Sequence, residues 1–515
     1  MLEEPYDAIV IGSGFGGAMA AHVLVEVGWS VLMLERGDWV ERGANNWAAD
    51  GVGPLTEHYS AEFRTFHCIG GPSVFYGGVA FRFRPEDFEH TPEIAGESGA
   101  RWPWNYRDLE PYYTEAEQLL GVAGAAGADP TEGERSRPYP QRPAPLAPIS
   151  ERIAHAAREL GCTPFPLPLA INHTRQSGRR TCVACGTCDG FACAIEAKND
   201  LATVVLRPLQ QRGLDLRARA VATRIIAARG RVTDVEAVDR DTGLTTTYRA
   251  RVVILAAGAL ATPHLLLASD LARLNPAGQY VGRYLMRHNN QIVFGIFPTP
   301  PNPGGGFHKQ LAIHDYYFGH PSVRSPAGKL GGIQQLATPP VSLVRAQLPP
   351  LIRSVLAPWV NHLTGLLTIA EDQPRYENCV DLDTATSDRF GLPRLRVTHG
   401  YSDRDLAAGH ALTARARAIL RRAGAWGFYH HRIGTFSHAV GTVRMGTDPN
   451  TSPLDGDCRF RGLDNLWVVD GSVMPTSAGV NPSLTIAAIA LRAADRLAGR
   501  PTSHPEAERH VAIAG

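Results

Sequence analysis

The sequence lacks the features that would place the protein in a membrane, on nucleic acid or in the secretory pathway. It has no uninterrupted apolar run of about 18 residues, so no membrane-spanning helix is expected. Its first residues, Met1 to Asp7, are acidic, unlike the basic-then-apolar order of a signal peptide. With 51 basic and 50 acidic side chains, it has no charge excess that would favour nucleic acid or an anionic membrane surface.

Cysteine is also scarce, with eight residues in 515, and half of them fall between Cys182 and Cys193. This distribution is unlike the disulfide framework of a small secreted protein. Together with the missing leader it predicts a soluble, cytoplasmic protein. Because 515 residues exceed what one hydrophobic core normally serves, we expect at least two structural units.

The N-terminal 36 residues alternate between element types. An apolar run at Ala8 to Ile11 is followed by a glycine-rich turn, a helical stretch from Ala18 to Val27 and a second strand from Ser30 to Leu34. This order predicts a βαβ unit. The turn itself reads Gly12-x-Gly14-x-x-Gly17.

That turn is the fingerprint of a dinucleotide site when it lies between a strand and a helix. Gly12 makes the tight turn, Gly14 lets the backbone approach a pyrophosphate, and Gly17 lets helix and strand pack closely. Glu35, about 20 residues on, would accept hydrogen bonds from the adenosine ribose. An acid at this position disfavours NADP, whereas FAD and NAD both remain open at this point.

Two further strands lie far along the chain. Val252 to Ala256 runs into Ala257-Gly258, and Leu466 to Val469 runs into Asp470-Gly471. The simplest architecture is an α/β nucleotide-binding unit assembled from separated segments, with the intervening sequence forming a second unit. Segments 121–148 and 297–307 are rich in Pro, Gly and Ala and are predicted to be loops. The region 291–425 is expected to contain a sheet.

Several motifs closely resemble those of the glucose-methanol-choline (GMC) oxidoreductase family. The most specific are three ordered matches near the C-terminus: His438 to Gly446, Leu466 to Pro475 and Val480 to Thr485. Weaker matches are spread over the rest of the chain, at 102–113, 258–269 and 281–288. Asp270 departs from the family pattern, because it stands where a glycine is usual. The chain looks like a bacterial member of the His/Asn type.

The resemblance implies a fold that is α/β, or α+β overall. A Rossmann-like FAD-binding domain would be built from the discontinuous segments 1–100, 206–290 and 426–515. Residues 101–205 would form a substrate-side insertion that carries the cysteine cluster. Residues 291–425 would form a substrate-binding domain with an antiparallel sheet.

The same resemblance implies that FAD is held non-covalently and assigns further contacts to it. Beyond the N-terminal turn and Glu35, the residues implied are those of a flavin-contacting loop, an adenine contact and the turns after the later strands: Gly70, Gly71, Ser73, Gly77, Val221, Ala257, Gly258, Asp470, Gly471, Pro482 and Thr485.

For the chemistry, the resemblance points to His438 and Asn481. Histidine suits a base that removes the hydroxyl proton, because its unperturbed pKa is about 6.5. The Asn481 amide would donate a hydrogen bond to the substrate oxygen as negative charge develops there. The alternative is a structural His438, with Asn481 capping a turn. His288 has two open roles, lining the cavity or supporting the fold, and the aromatic run 316–318 could contribute to specificity.

The cysteine cluster has the spacing Cys182-x2-Cys185-x2-Cys188-x4-Cys193. Such spacing could supply four thiolates to zinc or to an iron-sulfur cluster. However, Ala194 stands where a ferredoxin-type motif has proline. We expect reduced, packed thiols and no metal, and keep zinc or iron-sulfur binding as the alternative.

The leading hypothesis is an FAD-dependent oxidoreductase that oxidises a CH–OH group of a sugar, glycoside, polyol or ring alcohol by hydride transfer to flavin N5. The electrons would pass to oxygen or to another acceptor. The alternatives are an NAD-dependent dehydrogenase and a flavin/iron-sulfur electron-transfer protein that serves a protein or quinone. The specific substrate, the choice between oxidase and dehydrogenase, and the oligomeric state stay open.

Overall fold

A computed structural model describes residues 6–43, 56–60, 63–175, 178–186, 188–321, 328–338, 341, 357–435 and 437–500. The strands are β1 Tyr6–Ile11, β2 Val31–Leu34, β3 Thr56–Ser60, β4 Phe63–Phe66, β5 Phe165–Pro166, β6 Asp215–Arg217, β7 Ala220–Ala228, β8 Arg231–Asp239, β9 Thr245–Tyr248, β10 Ala250–Leu255, β11 Asn289–Ile296, β12 Leu311–Ile313, β13 Gly331–Leu336, β14 Leu363–Ala370, β15 Cys379–Ser387, β16 Pro393–Thr398, β17 Gly427–Arg432 and β18 Leu466–Val468. The α-helices are α1 Phe15–Glu26, α2 Pro92–Ala95, α3 Tyr106–Leu120, α4 Pro148–Glu159, α5 Arg207–Gln211, α6 Gly258–Ala268, α7 Asp403–Arg422 and α8 Ser483–Ala498.

A five-stranded parallel sheet has the order β18-β10-β1-β2-β6. The strand β2 and the last four residues of β1 are buried, as expected for a parallel sheet covered on both faces. Helices α1 and α8 pack against each other. The strands come from widely separated parts of the chain, so the expected Rossmann-like fold built from discontinuous segments is confirmed.

A six-stranded antiparallel sheet has the order β17-β11-β14-β13-β12-β5. One of its faces packs against α7 and forms a core with Val293, Ile333 and Leu366. Because alternate residues of a strand point to opposite faces, Ile292, Leu367 and Gln334, which lie side by side, face away from α7. This sheet confirms the antiparallel architecture, and the boundaries proposed for the units remain predictions.

Local signals explain where α7 begins. The Ser402 hydroxyl accepts a hydrogen bond from the Asp405 amide, and the Asp405 carboxylate accepts one from the Ser402 amide. This reciprocal capping box satisfies donors that the first helical turn leaves unpaired. The two predicted loops hold no strand, and α4 begins at Pro148. Among the residues described, no helix is long and apolar enough to cross a membrane.

Candidate active site

The N-terminal glycine turn closes tightly on the parallel sheet. A Cβ atom at Gly12 (φ +102°) would overlap the Ala256 carbonyl oxygen, and one at Gly17 would overlap the Gly12 carbonyl oxygen. A Cβ at Gly14 would meet nothing within 4 Å. The first and third glycines are therefore required by packing, and the second faces open space at the N-terminus of α1, where unpaired amides can bind an anion.

Glu35 lies at the end of β2 beside this turn. Its carboxylate accepts hydrogen bonds from the Ser13 amide (3.0 Å), the Ser13 hydroxyl (2.6 Å) and the Gly37 amide (2.8 Å). The Ala220 amide donates to the Glu35 carbonyl oxygen at 2.9 Å. Val221 follows Ala220 and therefore lies close to Glu35. Its contact with adenine remains a prediction.

The predicted flavin-contacting loop meets the same turn. The Gly70 amide donates to the Ser13 hydroxyl at 3.0 Å, and a Cβ at Gly71 would lie 3.2 Å from the Gly14 Cα. The Ser73 hydroxyl donates to the Gly70 carbonyl oxygen at 2.6 Å and accepts from the Leu201 amide at 3.1 Å. Ser73 therefore holds the loop in shape.

Gly77, at the other end of that loop, faces an ion pair. The Lys309 ammonium lies 2.7 Å from the Asp189 carboxylate, and a Cβ at Gly77 would overlap both side chains. The loop can therefore approach this pair only because residue 77 has no side chain.

The turns after β10 and β18 are tied together by Asp470. One carboxylate oxygen accepts from the Gly258 amide at 2.9 Å and from the Thr262 hydroxyl, and the other accepts from the Ser472 amide at 2.8 Å. Burial raises the pKa of Asp470, although these hydrogen bonds oppose the shift. Gly258 (φ +90°) faces open space, as Gly14 does.

The remaining predicted cofactor residues lie close to these turns. Ala257 is the N-cap of α6, and its amide donates to the Thr262 hydroxyl at 3.2 Å. Pro482 is the N-cap of α8. The Thr485 hydroxyl, in the first turn of that helix, is already hydrogen-bonded to Tyr113 at 2.8 Å. Gly471 begins the short 3-10 helix Gly471–Val473, and a Cβ there would lie 3.0 Å from the Ala439 carbonyl oxygen.

His438 and Asn481 come together in the structure, although 43 residues separate them. The Asn481 amide nitrogen lies 3.3 Å from His438 Nε2. On its other side, the Asn481 amide oxygen accepts a hydrogen bond of 2.6 Å from Gln334, on β13. Asn481 therefore links His438 to strand β13 of the antiparallel sheet.

The partners of His288 fix the tautomer of His438. His288 Nε2 lies 2.9 Å from the Ser477 carbonyl oxygen, which can only accept, so this nitrogen carries a proton. A neutral His288 then presents a bare Nδ1, which lies 3.0 Å from His438 Nδ1. With His288 in this state the proton of His438 sits on Nδ1, and His438 Nε2 accepts the hydrogen bond from the Asn481 amide.

Asn290 completes the surroundings of this imidazole. Its amide nitrogen lies 3.5 Å from His438 Nδ1, and its amide oxygen is buried without a hydrogen-bond partner. Turning the amide over would place the oxygen beside the His438 Nδ1 proton, which is the orientation that the tautomer requires.

The electrostatic environment keeps His438 neutral. Burial holds the pKa of His438 well below its usual value, and the nearby Lys309 ammonium acts in the same direction. A neutral imidazole with an unprotonated Nε2 can accept a proton, which is the state that a general base needs.

Asp372 fixes the backbone around His288 through hydrogen bonds to its carboxylate. Its carboxylate accepts hydrogen bonds from the amides of Arg287 (2.9 Å) and His288 (3.1 Å) and from the Ser477 hydroxyl (3.0 Å). Burial opposes its ionisation, but the hydrogen bond from His399 and the charges nearby hold the pKa of Asp372 below its usual value. Sequence reasoning missed Asp372 and Gln334, since neither lies in a motif.

The three residues of the aromatic run 316–318 have different surroundings. Tyr316 packs in the core beneath α7, and Phe318 is 40% exposed. Tyr317 is fully buried, and its hydroxyl accepts from the Gly479 amide at 2.8 Å and donates to Asp87. Its role is thus to support the turn that precedes Asn481.

The cysteine segment is held by a lysine. The buried Lys198 ammonium donates to three carbonyl oxygens, those of Tyr76 (2.8 Å), Cys188 (3.0 Å) and Phe191 (2.8 Å). Burial raises the pKa of Cys188, and it raises the pKa of Cys182 as well. Within the described part of the chain, no group of three or more His, Cys, Asp or Glu side chains could hold a metal ion.

Comparison with known proteins identifies the family. The N-terminal GMC oxidoreductase family model matches residues 6–290, and the C-terminal model matches residues 374–490. The chain belongs to the GMC oxidoreductase family. The resemblance seen in the sequence is thereby confirmed, and the protein is an oxidoreductase.

Among GMC oxidoreductases, the chain is 34% identical to the 6'''-hydroxyparomomycin C oxidase of Streptomyces lividus, over 98% of this chain and 93% of that protein. It is 30% identical to the 2-methyl-1,2-propanediol dehydrogenase of Mycolicibacterium austroafricanum, over 96% and 95%. A solved structure, pyridoxine 4-oxidase from Mesorbium loti, has the same fold, with a TM-score of 0.67, 19% identity and coverage of 96% and 99%.

Proposed function

We propose that this GMC oxidoreductase binds FAD non-covalently and oxidises a CH–OH group of a small-molecule alcohol, with His438 as the base. The observation that carries the proposal is the pairing of His438 Nε2 with the Asn481 amide at 3.3 Å, in the tautomer that leaves Nε2 free to accept a proton.

The residues around the glycine turn suit FAD. Gly14 and Gly258 both face open space, so the backbone can approach a pyrophosphate and a flavin there. Glu35 and Val221 lie together at the predicted adenosine end, and the loop from Gly70 to Gly77 lies beside the turn. When bound, FAD supplies the acceptor for the hydride that leaves the carbinol carbon.

The catalytic pair can remove the second hydrogen that the alcohol loses, its hydroxyl proton. With the alcohol oxygen within reach of both side chains, His438 Nε2 accepts the hydroxyl proton, and the Asn481 amide donates a hydrogen bond to the same oxygen as negative charge develops. The His438 Nδ1 proton stays in its hydrogen bond to His288, so the imidazole keeps its orientation throughout.

The substrate is proposed to be a sugar, glycoside, polyol or ring alcohol. Two relatives support this range, because their names describe the oxidation of a hydroxylated paromomycin and of a diol. One of them is named an oxidase and the other a dehydrogenase, so oxygen and another electron acceptor are both candidates. An NAD-dependent dehydrogenase is disfavoured by the family.

Anaerobic absorption spectroscopy with a panel of polyols, sugars and glycosides tests the proposal. Flavin bands that bleach with an alcohol are the expected result. His438→Ala should slow this reduction about 10²–10⁴-fold while leaving the FAD content unchanged. A colourless protein that cannot be reconstituted with FAD would refute the cofactor assignment, and a His438→Ala variant reduced at the normal rate would remove His438 from the mechanism.

A further inference from the structure

The hydrogen bonds through the catalytic pair form a single chain. It starts at the Ser477 carbonyl oxygen, passes through His288, His438 and Asn481, and ends at Gln334. Because a carbonyl oxygen only accepts, it dictates which atom donates at each later link. The chain therefore has one direction.

That direction decides how the Asn481 amide is turned. The two ends of an amide are nearly equal in shape, so its partners alone determine which end faces which way. His438 Nε2 accepts and thus selects the Asn481 NH₂ group. In this orientation the Asn481 oxygen accepts a hydrogen bond of 2.6 Å from Gln334 Nε2.

We infer that Gln334 is a positioning residue that keeps the Asn481 NH₂ group directed at the place where the alcohol oxygen binds. Without a donor on β13, the Asn481 oxygen loses its partner, and the amide is free to turn over. The reversed amide would present an oxygen to the substrate oxygen and would repel the negative charge that develops there.

Among the described residues, the one hydrogen bond of the Gln334 side chain goes to Asn481. Its side chain is fully buried, yet its own amide oxygen has no hydrogen-bond partner. A buried carbonyl oxygen without a donor lowers stability. The orientation of Gln334 therefore satisfies Asn481 while leaving an acceptor of Gln334 unpaired, a conflict common at functional sites.

Gln335 is a matched control. It is equally buried, and one of its own amide groups, the nitrogen, also lacks a partner. Its side chain lies on the α7 face of the sheet, because its neighbour Leu366 belongs to that core. Both glutamines thus lie on β13, are fully buried and carry the same amide group. They differ in that Gln334 contacts Asn481 and Gln335 faces α7.

The inference rests on the proposed function and is tested on the FAD-loaded enzyme by the rate constant of flavin reduction at saturating substrate. Gln334→Leu should lower this rate constant about 10²-fold, which is typical for the loss of one oriented donor. Gln334→Glu, of nearly the same shape, should lower it further, because an ionised carboxylate can only accept and would draw the Asn481 NH₂ group away. Gln335→Leu should keep the rate constant, and the thermal midpoint of Gln334→Leu should be no lower than that of Gln335→Leu.

A double-mutant cycle separates positioning from general structural damage. If Gln334 acts only through Asn481, Gln334→Leu should have no further effect in an Asn481→Ala background. Multiplying effects, or a normal rate in both Gln334 variants, would overturn the inference while leaving the proposed function intact. If Asn481→Ala and His438→Ala both reduce the flavin normally, the proposed role of the catalytic pair fails and the inference fails with it, whereas a protein that takes up no FAD refutes the proposed function itself.

Discussion

Substitution of Gly14 gives the sharpest test of where the pyrophosphate binds. The backbone at this residue (φ −69°, ψ −168°) is open to any amino acid, and a Cβ there would touch nothing within 4 Å. Gly14→Val should therefore fold as the parent does in the absence of FAD. Its side chain would, however, occupy the space in front of the α1 amides.

The effect of Gly14→Val on the stability of the apoprotein and its effect on FAD binding should differ in magnitude. Alanine-like residues are poorer helix N-caps than glycine by up to about 1 kcal/mol, and a similar amount is regained because the unfolded chain is less flexible. The stability of the apoprotein should then change by less than about 1 kcal/mol. For FAD, each lost hydrogen bond to a charged phosphate costs about 1.5–3 kcal/mol, so the dissociation constant should rise at least about 10-fold and up to about 10⁴-fold for two such bonds.

The assay is a titration of apoprotein with FAD, followed by flavin fluorescence and by the thermal midpoint. FAD at 100 times its dissociation constant stabilises the parent by about 2.7 kcal/mol, and Gly14→Val should lose about half of that stabilisation or more at the same FAD concentration. Gly400→Val is the control, because a Cβ at Gly400 also meets nothing within 4 Å and lies outside the turn. Full FAD affinity in Gly14→Val would show that the phosphates bind elsewhere.

Three further outcomes are expected. Since the pKa of His438 is lowered, its inactive imidazolium form should appear only at acidic pH. Measured from pH 4.5 to 8, kcat/KM should therefore decrease only when the pH is below about 6.5. A decrease that begins above this pH would contradict the environment described for His438. Asp470→Ala leaves the amides of Gly258 and Ser472 without an acceptor and should lower the free energy of unfolding by about 2–4 kcal/mol, measured by urea denaturation; an unchanged midpoint would argue against its bridging role. Lys198→Met removes the donor for three carbonyl oxygens and should make the buried Cys188 react faster with a thiol reagent, whereas an unchanged rate would mean that other contacts hold the segment.

The sequence predicts the nucleotide-binding unit well because its signals are local. The apolar runs and the helical pattern predict β1, α1 and β2. The spacing of the glycines predicts close packing at Gly12 and Gly17, and the structure shows this packing. The roles of His438 and Asn481 follow from motifs of a few adjacent residues. The structure brings this pair together, and their catalytic roles stay a prediction.

The supporting residues could not be found in this way, because they act through pairings between distant strands. Gln334 reaches Asn481 from β13, and Asp372 follows β14, both within the region 291–425 that showed no clear pattern. The register of an antiparallel sheet depends on long-range packing, so neither side chain carries a local signal. The one available clue was His288, whose position in the Arg-His-Asn-Asn stretch left two roles open.

The turn before Asn481 has a strained backbone, and buried charged side chains hold it in place. Ala478 has φ +55°, a left-handed conformation that costs an alanine about 1 kcal/mol or more. Its amide donates to Glu371 at 2.8 Å, and the next amide donates to Tyr317. Buried Lys329 pairs with that glutamate at 2.6 Å and with Asp87 at 2.5 Å.

A lone carboxylate could not serve as the acceptor for this turn, because burying an unpaired charge is costly. Lys329 pairs with both carboxylates, so they can hold a strained backbone in one conformation. The chain that orients the Asn481 amide then has two fixed ends, the Ser477 carbonyl oxygen in this turn and Gln334 on the sheet. The direction of the amide is thus set by the fold and does not depend on the arrival of the substrate, which is the preorganisation that stabilising a developing negative charge requires.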